Sequence, residues 1–323
     1  MRSMRTAGVV GAAWMALVAV GCGGEGSDGP AASPSVASSW STKTSQSPGT
    51  WLKAVDFTDS STGWVVGGQG AVFKTADGGA TWSAQTSGSS DWLNGVDFIN
   101  ASRGWAVGAG GTIVATTDGG ATWSPQVSGT TETLHGVAFV STMTGWAVGA
   151  NGTILKTSNG GATWNALASG TTQWLYSVSM VYPRTVWAAG NGGTILKSAD
   201  GGATWTSQPT GTTQSLFGVH FEGPLNGWAV GASGTGLRTT DGGETWTPMA
   251  MATGVALTSV CFCGAEVGWC VGASGTILCT TDGGITWIPQ ASGTSEFLWG
   301  LTCTDLASVW AVGTNYTILK AAP

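Results

Sequence analysis

From Leu52 onward the chain is written in short runs in which apolar and polar positions alternate. One unit reads Leu93-Asn94-Gly95-Val96-Asp97-Phe98, then Gly104-Trp105-Ala106-Val107-Gly108, Thr112-Ile113-Val114-Ala115-Thr116 and Thr122-Trp123-Ser124-Pro125-Gln126. Each run has the length of a β-strand, and Gly-rich turns separate them. The unit then recurs. Trp followed by two small or Val residues and Gly stands at Trp64, Trp105, Trp146, Trp187, Trp228, Trp269 and Trp310, always 41 residues apart. Leu52, Leu93, Leu134, Leu175, Leu216, Leu257 and Leu298 keep the same period. Seven units of four short strands predict an all-β fold, a seven-bladed β-propeller of four-stranded blades. Near-continuous apolar strands suit blades that are covered on both faces by their neighbours.

A third series counts differently. The box Thr75-Ala76-Asp77-Gly78-Gly79-Ala80-Thr81-Trp82 recurs around Asp118, Asn159, Asp200, Asp241 and Asp282, which makes six boxes against seven Trp units. The seventh unit has three strands between Leu298 and Lys320, and Ser38-Ser39-Trp40-Ser41-Thr42-Lys43 resembles its missing Thr-Trp strand. Ring closure is therefore predicted to pair the N-terminal segment with the last blade, hiding two sheet edges. Gly95 and its equivalents Ala54, Gly136, Ser177, Gly218, Ser259 and Gly300 are all small, as expected where the innermost strands crowd the channel.

Composition narrows the class. With 54 Gly and 19 Trp but only 28 charged residues, the chain is too aromatic for disorder, and its Gly lacks the period of three of collagen. A net charge of −6 without any basic run argues against nucleic acid as a partner. At the N-terminus, Arg2 and Arg5 precede an apolar stretch from Ala7 to Val20, the length of a signal-peptide core, which ends at Ala19-Val20-Gly21-Cys22. This ending resembles the lipobox of bacterial lipoproteins, which implies acylation of Cys22. Residues 1–21 then read as a lipoprotein signal peptide, 22–38 as a flexible tether rich in Gly, Ser and Pro, and 39–323 as the propeller. Loss of the signal would leave 9 basic against 17 acidic residues. The expected location is the periplasm or the cell surface, with the protein held to the membrane by its N-terminal lipid.

The boxes Ser/Thr-x-Asp-Gly-Gly-x-Thr-Trp resemble the Asp-box (BNR) repeat of sialidases and other propellers. Their spacing from Gly-Trp-Ala-Val-Gly and Gly-Thr-Ile-Leu also resembles the photosystem II stability/assembly factor family, over residues 40–320. The resemblance implies a seven-bladed propeller that assembles or binds rather than catalyses. In each box the carboxylate of Asp77, Asp118, Asp200, Asp241 or Asp282, and the amide of Asn159, is expected to accept N–H bonds across its turn, with Gly supplying positive φ and Trp covering the hairpin. Sialidase chemistry would need three Arg to clamp a carboxylate, whereas beyond the signal stand only Arg103, Arg184 and Arg238, the last at the position of Lys156 and Lys197. The basic Arg patch that the assembly-factor resemblance implies is also missing.

Other chemistry is sparse. His135 and His220 fall at different repeat positions, so no metal site and no cofactor are expected. The repeat position of Asp97 holds Asp56, Asp97, Ala138, Ser179, His220, Cys261 and Thr302, which reads as a solvated polar channel ring; the sharper alternative is a carboxylate pair, Asp56 with Asp97, of the kind glycoside hydrolysis uses. Cys270 and Cys279 flank Gly272-Ala273-Ser274-Gly275 and could face each other as a disulfide. Connectivity among Cys261, Cys263, Cys270, Cys279 and Cys303 stays open. The loops joining the fourth strand of one blade to the first of the next carry Trp51, Trp92, Trp174 and Phe297, and the next variable strand position holds Lys53, His135, Tyr176, Phe217 and Trp299. Aromatic residues at a position free of repeat constraints suggest stacking on a glycan or an extended peptide. The expectation is a monomeric, non-enzymatic binding or assembly scaffold for a protein or polysaccharide. A secreted sialidase-like glycoside hydrolase and a purely structural envelope protein are the alternatives.

Overall fold

The computed structural model describes residues 39–43, 49–182 and 184–322. The expected signal peptide, Cys22 and the whole of the expected tether lie outside the described residues. Seven four-stranded antiparallel sheets form the blades. The first consists of Leu52–Phe57, Gly63–Gly67, Ala71–Thr75 and Ser83–Thr86, running from the inner to the outer strand.

Closure follows the expectation. Leu298–Asp305, Ser308–Gly313 and Ile318–Ala322 are completed by Ser39–Thr42, with Trp40 opposite Ala321 and Ser41 opposite Lys320. Trp40 takes the place of a box Trp. Its indole Nε1 donates to Gln290 Oε1 at 2.8 Å, as Trp164 Nε1 does to Gln126 Oε1 at 3.0 Å.

The blades are joined by aromatic stacks. The Trp of each second strand is fully buried. Trp64 lies flat on Phe98 of the next blade, ring centroids 3.5 Å apart, and Trp123 closes the stack edge-on at 5.8 Å. Trp105, Trp187 and Trp228 repeat the arrangement on Phe139, Phe221 and Phe262. The indole N–H of Trp64 donates to Gly119 O in the next blade's box, so the apolar stack is also fixed by a polar bond.

The stacking Phe needs space behind it. Phe98 sits opposite Gly104, and a Cβ on Gly104 would come within 2.5 Å of the Phe98 ring. Where Val replaces that Gly, the Phe is gone: Met180 stands opposite Val186 and Cys303 opposite Val309. The pairs exchange volume within one cross-strand contact, as a close-packed interior demands.

Each box is a closed hydrogen-bond unit. Thr116 Oγ1 donates to Asp118 Oδ1 at 2.8 Å and accepts from Gly120 N, while Thr122 donates to Asp118 through both N and Oγ1. Gly119 and Gly120 have φ of 71° and 90°, the left-handed region that the turn requires. Asn159 keeps the turn with one bond reversed, its Nδ2 donating to Thr163 Oγ1. The hydroxyl and N–H of Thr122 hold the Asp118 carboxyl down at about 2, and those of Thr81 do the same for Asp77. These are the structural roles expected of the boxes.

Candidate functional site

The face opposite the boxes is built by a bulge. In all seven inner strands the register shifts at the same repeat position, between Leu52 and Ala54, Leu93 and Gly95, and so on around the ring. The extra residues are Lys53, Asn94, His135, Tyr176, Phe217, Thr258 and Trp299. A bulged residue leaves the ladder and its side chain is re-aimed, which explains why this repeat position varies while its neighbours stay fixed. All seven line one cavity of about 230 Å3 at the channel mouth.

Above the bulges stand the loop aromatics. Each precedes a fully buried Leu, so the alternation of the strand turns its ring outward. Its carbonyl is pinned: Trp51 O accepts from Gly68 N and Trp92 O from Ala109 N, both at 2.9 Å. Trp51, Trp92 and Trp174 remain 44%, 39% and 43% exposed. The rings form two connected groups. Trp51 meets Trp92 edge-on at 5.7 Å, and Lys53 Nζ lies 3.2 Å from the centroid of Trp299, which stacks on Phe297. On the other side Trp174, His135, Tyr176 and Phe217 make a continuous chain of ring contacts between 5.2 and 6.5 Å. The structure thus brings together all seven aromatic residues singled out from the sequence.

Electrostatics sharpen the mouth. Burial lowers Lys53 to about 8, and burial together with the Lys53 charge lowers His135 to about 4, so the imidazole is neutral at pH 7. Tyr176 is raised by burial, and its hydroxyl donates to Asn191 Oδ1. Lys53 and His135 share the repeat position of the chosen aromatics, the one signal that could have marked them as part of the site.

Of the expected channel ring, Asp56, Ala138, Ser179, His220, Cys261 and Thr302 line the far cavity and Asp97 does not. Asp97 is completely buried, and its Oδ2 accepts from Phe139 N at 2.8 Å, while Asp56 Oδ2 accepts from Phe98 N at 2.7 Å. Ser179 Oγ accepts from Phe221 N in the same way. At Asp56, Asp97 and Ser179 the side chain thus also staples neighbouring inner strands. His220 does border the far cavity of about 270 Å3, with Nε2 3.8 Å from Glu222 Oε2. Val55, Val96, Val178 and Leu301 line both cavities, so the waist between the two mouths is apolar.

The expected Cys270–Cys279 disulfide is also corrected. Cys270 pairs with Leu278 and Cys279 with Trp269, which puts the two thiols on opposite blade faces, and both are free. Cys270 belongs to the core shared with Trp228, and Cys279 to the core shared with Trp40 and Leu298. Instead Cys261, Cys263 and Cys303 gather between the last two blades. The Arg238 position faces the boxes: Lys156 Nζ there donates to Gly201 O, and Lys197 pairs with Glu244 at 2.7 Å. Among the described residues no group of three or more His, Cys, Asp or Glu is placed to hold a metal ion.

The family whose description reads Photosynthesis system II assembly factor YCF48 matches the chain in three consecutive stretches, residues 33–125, 126–209 and 208–290. The chain belongs to this family. Among solved structures it is similar to YCF48 bound to D1 peptide, at 20% identity and a TM-score of 0.74, over 91% of this chain and 100% of that one. YCF48 from Cyanidioschyzon merolae gives 22% and 0.73, covering 88% and 99% of the two chains. A streptogramin B lyase gives 14% and 0.74, covering 87% and 96%. At these identities the likeness to the solved structures is one of fold, and the same fold serves an enzyme as well as members of the YCF48 family. No curated protein matches the sequence.

Proposed function

We propose that the protein is a non-enzymatic binding scaffold of the cell envelope, whose aromatic channel mouth holds an extended segment of a protein partner. The observation that carries this reading is the convergence of seven bulged side chains on one cavity, with four loop aromatics packed against them, on the face that the structural boxes leave free. Membership in the YCF48 family supports it, and in one solved structure YCF48 itself carries a D1 peptide. Half-exposed Trp rings fixed on a rigid frame cost little entropy on binding, and several together provide affinity. A rim of this kind would also accept sugars; a protein segment is the better fit because its backbone can lie across the rings while its side chains enter the narrow cavity.

Anchoring through Cys22 belongs to the same proposal. It rests on the sequence Ala19-Val20-Gly21-Cys22 after an apolar stretch, and it places the propeller in the periplasm or at the cell surface on a tether of residues 22–38. Labelling with a fatty-acid probe is expected to mark the wild type but not Cys22→Ser. For the scaffold itself, a peptide array probed with the full-length protein is expected to give binders that Trp92→Ala with Trp174→Ala weakens. Turnover of sialosides or aryl glycosides by the pure protein would overturn the non-enzymatic reading.

A further inference from the structure

The Lys53 ammonium is held in an unusual place. Trp299, Trp51 and Trp92, from three consecutive blades, surround it at 3.2, 5.6 and 5.6 Å. Cation–π attraction offsets part of the cost of drawing the charge partly out of water, but a half-buried ammonium is fully stabilised only by a counter-ion and hydrogen bonds. Among the described residues no carboxylate stands within ion-pair distance of it. The acids on the neighbouring loops are committed elsewhere. Asp91 accepts from Thr112 Oγ1, Glu132 from Asn151 Nδ2 and Glu296 from Thr314 Oγ1. The mouth is therefore positive at its centre and negative at its rim. Beside Lys53, the indole Nε1 of Trp299 is buried without a hydrogen-bond partner among the described residues.

Resting on the reading of this face as a peptide-binding site, we infer that Lys53 is the anchor for a glutamate or aspartate side chain of the bound segment. The cavity favours this source of the carboxylate. Its volume of about 230 Å3 holds one or two side chains, and Lys53 lies at its wall beneath exposed tryptophans. An acidic side chain projects from an extended backbone on one to two methylenes and reaches the ammonium while the backbone crosses the rings. The carboxylate of a uronic acid is attached directly to a bulky sugar and stops at the rim. A cationic ligand is excluded, because the aromatic cage already contains a lysine of the protein.

The test compares matched peptides on the full-length protein. N-acetylated, C-terminally amidated nonapeptides with Ala, Val and Leu flanks carry Glu or Gln at the centre. Glu peptides are expected to bind about tenfold or more tightly than their Gln partners, as hydrogen bonds to charged groups do. Lys53→Met is expected to erase that preference, and Lys53→Arg to retain most of it, with thermal melting confirming that both fold. Equal binding of Glu and Gln peptides by the wild type overturns the inference whatever the variants do. So does a Glu preference that survives Lys53→Met, or binding that requires a free C-terminal carboxylate. If polygalacturonate binds and no peptide does, both the inference and the peptide-scaffold reading fall. If Glu and Gln peptides bind equally but Trp92→Ala with Trp174→Ala removes both, the scaffold reading stands and only the role of Lys53 is lost.

Discussion

The two faces of the propeller use the same repeat in opposite ways. On the box face almost every donor and acceptor of the turn is satisfied within the turn, and the residues hardly vary: Thr116, Asp118, Gly120 and Thr122 have counterparts around the ring. On the loop face the fixed elements are backbone contacts, such as Ala109 N to Trp92 O, while the side chains at the bulge range from Lys53 to Trp299. A repeat that must close a ring spends its sequence constraints on turns and blade joints. Variation is left where the chain steps out of the ladder, and a binding site can be written there without disturbing the fold.

The largest expected effect tests the blade that has no box. Trp40 does the work of a box Trp there, buried at 8% exposure against Gln290. Trp40→Ala is expected to cost about 3–5 kcal/mol, as large aromatic truncations in cores do. For a domain of this size that lowers the melting temperature by roughly 10 °C. A mutant melting with the wild type would show that the closing strand does not hold the ring.

Acid should erode the box face next. The hydroxyl of Thr81 or Thr122 holds Asp77 and Asp118 at about 2, below the ordinary 3.8. A carboxylate depressed in the fold stabilises fully above its unfolded pKa, and that contribution is lost as pH falls through the folded value. Melting temperature is therefore expected to drop between about pH 4 and pH 2, and Asp118→Ala to remove part of the drop while lowering stability at pH 7. Asp118→Asn is expected to be milder at pH 7, since Asn159 already closes the same turn.

The loop face should respond with the same sign but at the alkaline end of the pH range. Lys53 is lowered by burial to about 8 from 10.5, so between those values the unfolded chain binds more protons and wild-type stability rises with pH. Lys53→Met is expected to flatten that rise and to gain up to about 1 kcal/mol at pH 7, after allowance for solvent screening of a partly exposed group. A loss of stability would mean that the Trp299 contact outweighs desolvation. The smallest effect is that of Trp92→Ala with Trp174→Ala, residues 39% and 43% exposed, for which the melting temperature should stay within about 2 °C of wild type. A larger fall would assign these rings to the core and remove the contrast between the faces.

Much of this was legible along the chain. The interval of 41 residues and the mismatch of six boxes with seven Trp units led to a ring closed by residues 38–43, and the sheet order agrees. The exchange of Phe–Gly for Met180–Val186 and Cys303–Val309 was also present in the sequence, six residues apart in each case, but only the register shows that the two positions touch. Symmetry about a turn misled for Cys270 and Cys279, because a count of residues from the turn does not fix the pleat, and one step of register turns a side chain to the other face.

What the sequence determined by itself was everything periodic: blade number, strand count, the place of the boxes and the need for a closing strand, since a repeated pattern of burial has one compact solution. What only the tertiary structure decided was everything between blades. Asp97 became a staple because its carboxylate meets Phe139 N across an interface, and Lys53 became an unneutralised cation because three tryptophans from different blades enclose it. Apart from that of Lys53 with its near neighbour Trp51, those contacts join residues about forty or more positions apart, and in the case of Lys53 and Trp299 about three quarters of the chain. Ring closure makes them neighbours, and no local pattern encodes the distance between them.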